Sequence, residues 1–122
     1  MNELIESLFE GFEVNGVEIP VSFLVNEDHN GAYVTYQQVD ADSSLSGDDG
    51  LIGYVDYYDF DVYVYKRGRL GGNYTAIVDK IMSILVQHDF VWQPERTSED
   101  MYEEDTGYYH KTLNFAILRE VE

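Results

Sequence analysis

At 122 residues the chain has room for one domain, and 44% apolar residues give it material for a core, which argues against wholesale disorder. It has no cysteine, which excludes disulfides, thiolate metal sites and cysteine nucleophiles, and no apolar run nears the roughly 18 residues that cross a bilayer as a helix. The formal net charge is −17, from 24 acids and 7 bases, a balance that repels phosphate backbones and anionic lipid and weighs against sequence-specific nucleic-acid binding and against membrane binding.

The first predicted element is a helix over residues 2–10. Leu4, Ile5, Leu8 and Phe9 make one apolar face, Asn2 can cap its start, Glu3 and Glu6 suit the positive end of its dipole, and Gly11 can stop it. No basic stretch follows Met1, so no secretory signal is expected. Asn15-Gly16 is a turn pair. Ile19, Val21, Phe23 and Val25 alternate as a strand, with Pro20 at its start or on an edge. A polar turn at residues 27–31 leads to a second strand over residues 32–39, and the two strands read as a hairpin.

Residues 40–50 read as a loop rich in Asp, Ser and Gly. Residues 54–65 carry the longest strand signal. Tyr58, Phe60, Val62 and Val64 point one way, and Val55, Tyr57, Asp59, Asp61, Tyr63 and Tyr65 the other. Two aspartates on the second face mean that it meets water or a polar partner. A basic, glycine-rich turn spans residues 66–72. Asn73 can cap a second helix that runs to about His88, with Ile77, Val78, Ile81, Met82 and Leu85 as its stripe. Phe90 to Trp92 read as a short strand ended by Pro94, residues 95–106 as a second acidic loop, and residues 108–118 as the last strand, with Leu113, Phe115 and Ile117 inward. The expected fold is α+β: one domain over 1–122, with an antiparallel sheet of four to five strands and two helices packed on one face. Leu8, Phe23, Phe60, Val62, Ile77, Ile81, Leu85 and Phe115 are the expected core.

Charge is distributed unevenly. Residues 1–65 hold 14 acids and no Lys or Arg, because the first base is Lys66; the remaining 10 acids share residues 66–122 with all 7 bases. The acidic loop with Asp40, Asp42, Asp48 and Asp49 superficially matches a calcium loop, but Leu45 stands where an EF-hand needs Gly and Leu51 where it needs Glu, so an ordinary solvated loop is the better reading. His29, His88 and His110 have no metal-ligand spacing. Gly68, Gly71 and Gly72 lack the Lys-Ser/Thr of a phosphate loop. No catalytic, metal or cofactor-binding residue stands out, and no cofactor is expected.

The 11 tyrosines are the more informative feature. Tyr is favoured in strands and, where exposed, at protein interfaces. Tyr63, Tyr65, Tyr108 and Tyr109, with the basic Lys66, Arg67 and Arg69, are the candidate subunit or partner contacts. The acidic residues Asp40, Asp42, Asp48 and Asp49 are the candidate channel-facing or partner-facing group.

Several stretches together resemble the tail terminator, or tail-completion, proteins of long-tailed bacteriophages and prophages. They are the N-terminal helix with Leu4, Leu8 and Phe9, the Ile19-Pro20-Val21 strand entry, Ala32-Tyr33-Val34-Thr35-Tyr36, the Tyr57–Tyr65 strand, the helix over residues 73–87 and the closing Gly107-Tyr108-Tyr109-His110-Lys111-Thr112-Leu113-Asn114-Phe115. The resemblance covers nearly the whole chain and implies a non-enzymatic α+β virion subunit. Such a subunit closes with itself into a ring, usually a hexamer, at the head-proximal end of the tail tube. It stops tail polymerisation, joins tail to head, and contacts tail-tube and head-connector proteins. It would occupy the host cytoplasm during assembly and then the virion. Head-closure and minor capsid proteins share much of this pattern. Two other classes compete: an acidic DNA mimic that occupies the basic groove of a DNA-binding protein, and a hydrolase built on a carboxylate pair.

Overall fold

The computed structural model describes residues 2–23, 31–47, 50–65, 74–98, 100–104 and 107–120, and for residues 2, 40–47, 50–54, 74 and 119–120 the backbone alone. Helix α1 (Asn2–Leu8) stops two residues short of the expected end. It buries Ile5 and Phe9, half-buries Leu8 and leaves Leu4 in solvent. Gly11 follows at φ +68°, the left-handed conformation that glycine adopts without strain. Strands β1 (Glu13–Val14) and β2 (Val17–Glu18) form a small hairpin. Both residues of its turn have positive φ, Asn15 at 52° and Gly16 at 79°, as a two-residue type I′ hairpin requires.

The main sheet contains β3 (Val21–Phe23), β4 (Ala32–Gly47), β5 (Gly50–Tyr65), β6 (Val91–Trp92), β7 (Met101–Glu103) and β8 (Tyr108–Glu120). Its order is β3-β4-β5-β8-β6, with β7 also on β8. Strands β4, β5 and β8 are the long central trio, paired antiparallel with Tyr36 opposite Phe60 and Phe60 opposite Leu113. Among the described residues the sheet therefore has six strands, with a separate two-stranded hairpin, in place of the four to five expected.

Three further expectations are corrected. The strand expected from Ile19 is broken at Pro20, which has no N–H for a ladder; its carbonyl accepts from Val34 N at 2.9 Å. Strand β3 then runs parallel to β4, with Val21 opposite Val34, so the two are not a hairpin. Alternation assigns faces but is the same for either strand direction, so it could not give this. Residues 40–47 are not a loop: Asp40–Gly47 continue β4, with a bulge at Val39 between the Gln38 and Asp40 pairs, and Gly50 begins β5, while residues 48 and 49 lie outside the described residues. Polar, low-propensity residues here are carried as strand by the ladder of their neighbours. Within the expected loop over residues 95–106, the described residues include the end of a 3-10 turn (Pro94–Arg96) and β7, which pairs with β8.

Helix α2 (Tyr74–Gln87) buries Ile77, Val78, Ile81 and Leu85 as its spacing predicts. The expected cap, Asn73, lies outside the described residues. At the other end Phe90 N donates to Leu85 O at 3.0 Å and Asp89 N to Val86 O at 3.4 Å, with Asp89 at φ +70°. This is a Schellman ending with a non-glycine residue in the left-handed position, and Phe90 closes it by packing into the core.

Both helices pack on the same sheet face, with Val34, Tyr36, Tyr58, Phe60, Val62, Val64, Leu113, Phe115 and Ile117 beneath them. Phe60 is fully buried and lies between Tyr36, Phe9 and Phe115, with ring centroids 5.9, 6.0 and 5.7 Å away. Phe23 was expected in this core but is 45% exposed, because β3 reaches only the rim, where Phe23 meets the Tyr36 ring at 5.7 Å.

Candidate functional site

Among the described residues, the other face of β4, β5 and β8 carries no α-helix. It is built by the period-two alternation of the same three strands, so each core residue is followed by one on this open face. Cross-strand register sets three rows on it. Tyr33, Tyr63 and His110 align as one row, Thr35, Asp61 and Thr112 as the next, and Gln37, Asp59 and Asn114 as the third.

The first row is a continuous aromatic stack. Tyr33 and Tyr63 lie 4.6 Å apart at 15°, and Tyr63 and His110 lie 4.2 Å apart at 13°. Tyr108 meets Tyr65 at 5.2 Å and Tyr33 edge-on at 6.0 Å, which extends the patch toward the end of the sheet. All five rings are half-buried. Stacked rings turn their edges and hydroxyls outward, so the patch offers donors and an amphipathic rim. Burial, with Asp61, Tyr33 and Glu103 adding negative potential, pushes the Tyr63 phenol up to about 12. Burial, then Tyr108 and Glu103, raises Tyr33 as well; burial and Tyr65 raise Tyr108. These hydroxyls remain protonated donors at neutral pH.

The second and third rows hold the two aspartates. Asp61 Oδ1 accepts from Thr112 Oγ1 at 2.5 Å and lies 3.3 Å from His110 Nε2. Asp59 Oδ1 accepts from Asn114 Nδ2 at 2.7 Å. Among the described residues, every one of these contacts falls on Oδ1 and none on Oδ2. Burial raises the Asp59 pKa; the Asn114 hydrogen bond opposes this, Asp61 adds to it, and Arg96 opposes it. Arg96 reaches this face from the 3-10 turn and lays its guanidinium 3.9 Å from the centre of the Tyr57 ring.

The segment between β6 and β7 closes the outer edge of β8. Gln93 N donates to Asn114 O at 2.8 Å and Ser98 N to Thr112 O at 2.9 Å, while Thr112 N and Asn114 N donate to the hydroxyls of Ser98 and Thr97. Trp92 Nε1 also donates to Thr97 Oγ1, at 2.8 Å. Side-chain hydroxyls thus replace a regular strand, and the edge is covered.

Of the candidate contacts, Tyr63, Tyr65 and Tyr108 come together on the open face. Tyr109 does not: it stands opposite Val64 on the helix-covered side and meets Tyr102 at 5.0 Å. Lys66, Arg67 and Arg69 lie outside the described residues, as do Asp48 and Asp49. Asp40 and Asp42 are placed by backbone only, opposite Tyr57 and Val55 in the β4–β5 ladder. Tyr33, His110, Asn114 and Arg96 were not among the candidates. The alternation around Asp59 and Asp61 marked the face, but only the register of three strands brings those partners to it.

Among the described residues no group of three or more His, Cys, Asp or Glu is placed to hold a metal ion, and no helix is long and apolar enough to cross a membrane. No protein-family model matches the chain, and no curated protein matches it.

Proposed function

We propose that the chain is a non-enzymatic structural subunit of a long-tailed phage or prophage virion, a tail terminator that closes into a hexameric ring, ends tail-tube growth and joins tail to head. The observation that carries this reading is the open face. Three long strands present stacked tyrosines and two aspartates there, while both helices lie on the opposite side. A half-buried aromatic face with hydroxyl donors is chemistry for binding another protein rather than for turning over a substrate. The acidic first half of the chain suits a ring around a DNA channel, where like charge keeps DNA from adhering.

Ring closure must overcome repulsion between subunits that each carry −17. Exposed charges are screened beyond a Debye length of about 8 Å at physiological ionic strength, so added salt favours assembly, whereas apolar burial hardly responds to it. Analytical ultracentrifugation from low to moderate salt tests this. The expected result is a monomer–ring equilibrium that shifts toward the ring as salt rises, and that Lys66→Glu with Arg69→Glu weakens without unfolding the chain. A monomer at every salt and concentration that also fails to bind tail tubes overturns the terminator reading. If that monomer inhibits a DNA-binding enzyme, the acidic mimic takes its place.

A further inference from the structure

We propose that the open face of β4, β5 and β8 receives an extended cationic segment of a different protein, with Arg or Lys at alternate positions that pair with Asp59 and Asp61. This deepens the reading of that face as an interface, and it does not depend on ring closure.

Three observations favour this occupant. First, the two carboxylates stand two residues apart on one strand face, a repeat of about 7 Å, which is the repeat of alternate side chains on any other strand. A partner strand with cations at alternate positions therefore meets both at once. Among the described residues, the hydrogen bonds of both carboxylates fall on Oδ1, which β8 holds, and none on Oδ2. Facing sheets pack about 10 Å apart, a gap that a short Asp cannot cross but an extended Arg or Lys can.

Second, the face already accepts one guanidinium. Arg96 holds its guanidinium carbon 3.9 Å from the centre of the Tyr57 ring, and its positive charge lowers the pKa of Asp59.

Third, charge complementarity favours a basic partner: both aspartates belong to the first 65 residues, which contain 14 acids and no Lys or Arg. Tyr63, stacked on Tyr33, then offers a neutral hydroxyl to a carbonyl of the incoming strand.

The test is calorimetric titration of the full chain at moderate salt with two synthetic peptides of equal composition, one alternating arginine and threonine and one with its arginines in a single block. The alternating peptide is expected to bind more tightly. Asp59→Asn with Asp61→Asn, which keeps an oxygen acceptor for Asn114 and Thr112, is expected to weaken it by roughly tenfold or more, about 1.4 kcal/mol. Glu3→Gln with Glu6→Gln removes the same charge from exposed positions on α1 and is expected to change binding by less than about twofold. Circular dichroism of both variants establishes that they remain folded. Equal binding of the two peptides, an equal loss in the α1 variant, or no binding at all overturns the proposal. Self-association that the Asp59/Asp61 variant abolishes also overturns it, because a second copy would then occupy the face. Ring formation in the ultracentrifuge is a separate readout, so failure here leaves the terminator reading to its own test.

Discussion

Single residues on the open face carry consequences that the face as a whole does not. Gly107 sits at φ +75°, and a methyl group there would meet the Tyr65 ring at 2.8 Å. Gly107→Ala is expected to cost about 1–2 kcal/mol from left-handed strain alone, plus displacement of Tyr65; urea unfolding measures it. Asp59 gives a pH prediction. Its folded pKa lies above its ordinary value, chiefly through burial, so the folded state holds the proton more tightly than the unfolded chain. Ionisation of Asp59 therefore opposes folding. The penalty is complete above the raised folded pKa and fades as pH falls through that value toward the ordinary carboxylate range. Asp59→Asn is expected to be more stable than wild type at neutral pH, with the difference disappearing near pH ~4. An Asn variant that is less stable at neutral pH would show that the carboxylate contributes more than it costs. Tyr63 acts in the same direction at the alkaline end: with its phenol pushed up to about 12, folding stability is lost as pH rises from 10 toward 12.

At the scale of elements, α2 shows how far local chemistry reaches. Its apolar stripe was legible from spacing alone, and Ile77, Ile81 and Leu85 are fully buried. Its end was legible to within a residue of His88, but not the way it closes, because Asp89 occupies a left-handed position where glycine is the usual residue. Asp89→Gly is expected to stabilise the chain by about 0.5–1 kcal/mol, while His88→Gly, one residue earlier, should lose stability; thermal unfolding of both variants separates them. The strands follow the same division. In β5 the alternation read directly as two faces, and Tyr58, Phe60, Val62 and Val64 are buried as it implies. In β4 the residues after Val39 have a loop composition, yet they remain strand because β5 supplies a partner at nearly every position as far as Gly47.

For the whole molecule, the dominant quantity is charge. A net charge of −17 on 122 residues repels itself in the compact state, independently of any partner. Raising salt from low to moderate concentration is expected to increase Tm by about 3–6 °C if screening recovers about 1 kcal/mol. A Tm independent of salt would mean that local pairs such as Lys111 with Asp100, 2.8 Å apart, already neutralise the effective field.

By itself the sequence determined the periodicities, and with them the α+β class, both helices, the two faces of β5 and the inward residues of β8. It also determined the charge asymmetry that makes the open face acidic. Only the tertiary structure decided strand direction, as in the parallel β3–β4 pair, and which residues meet across strands. Tyr33, Tyr63 and His110 are far apart in the chain and carry no local signal of one another. They stack because Tyr33 faces Tyr63 in one ladder and Tyr63 faces His110 in the next. Alternation is a property of one strand, whereas register is a property of two. Register is selected by how all the strands together bury one apolar face, and that choice places the aromatic stack and the two aspartates side by side on the other.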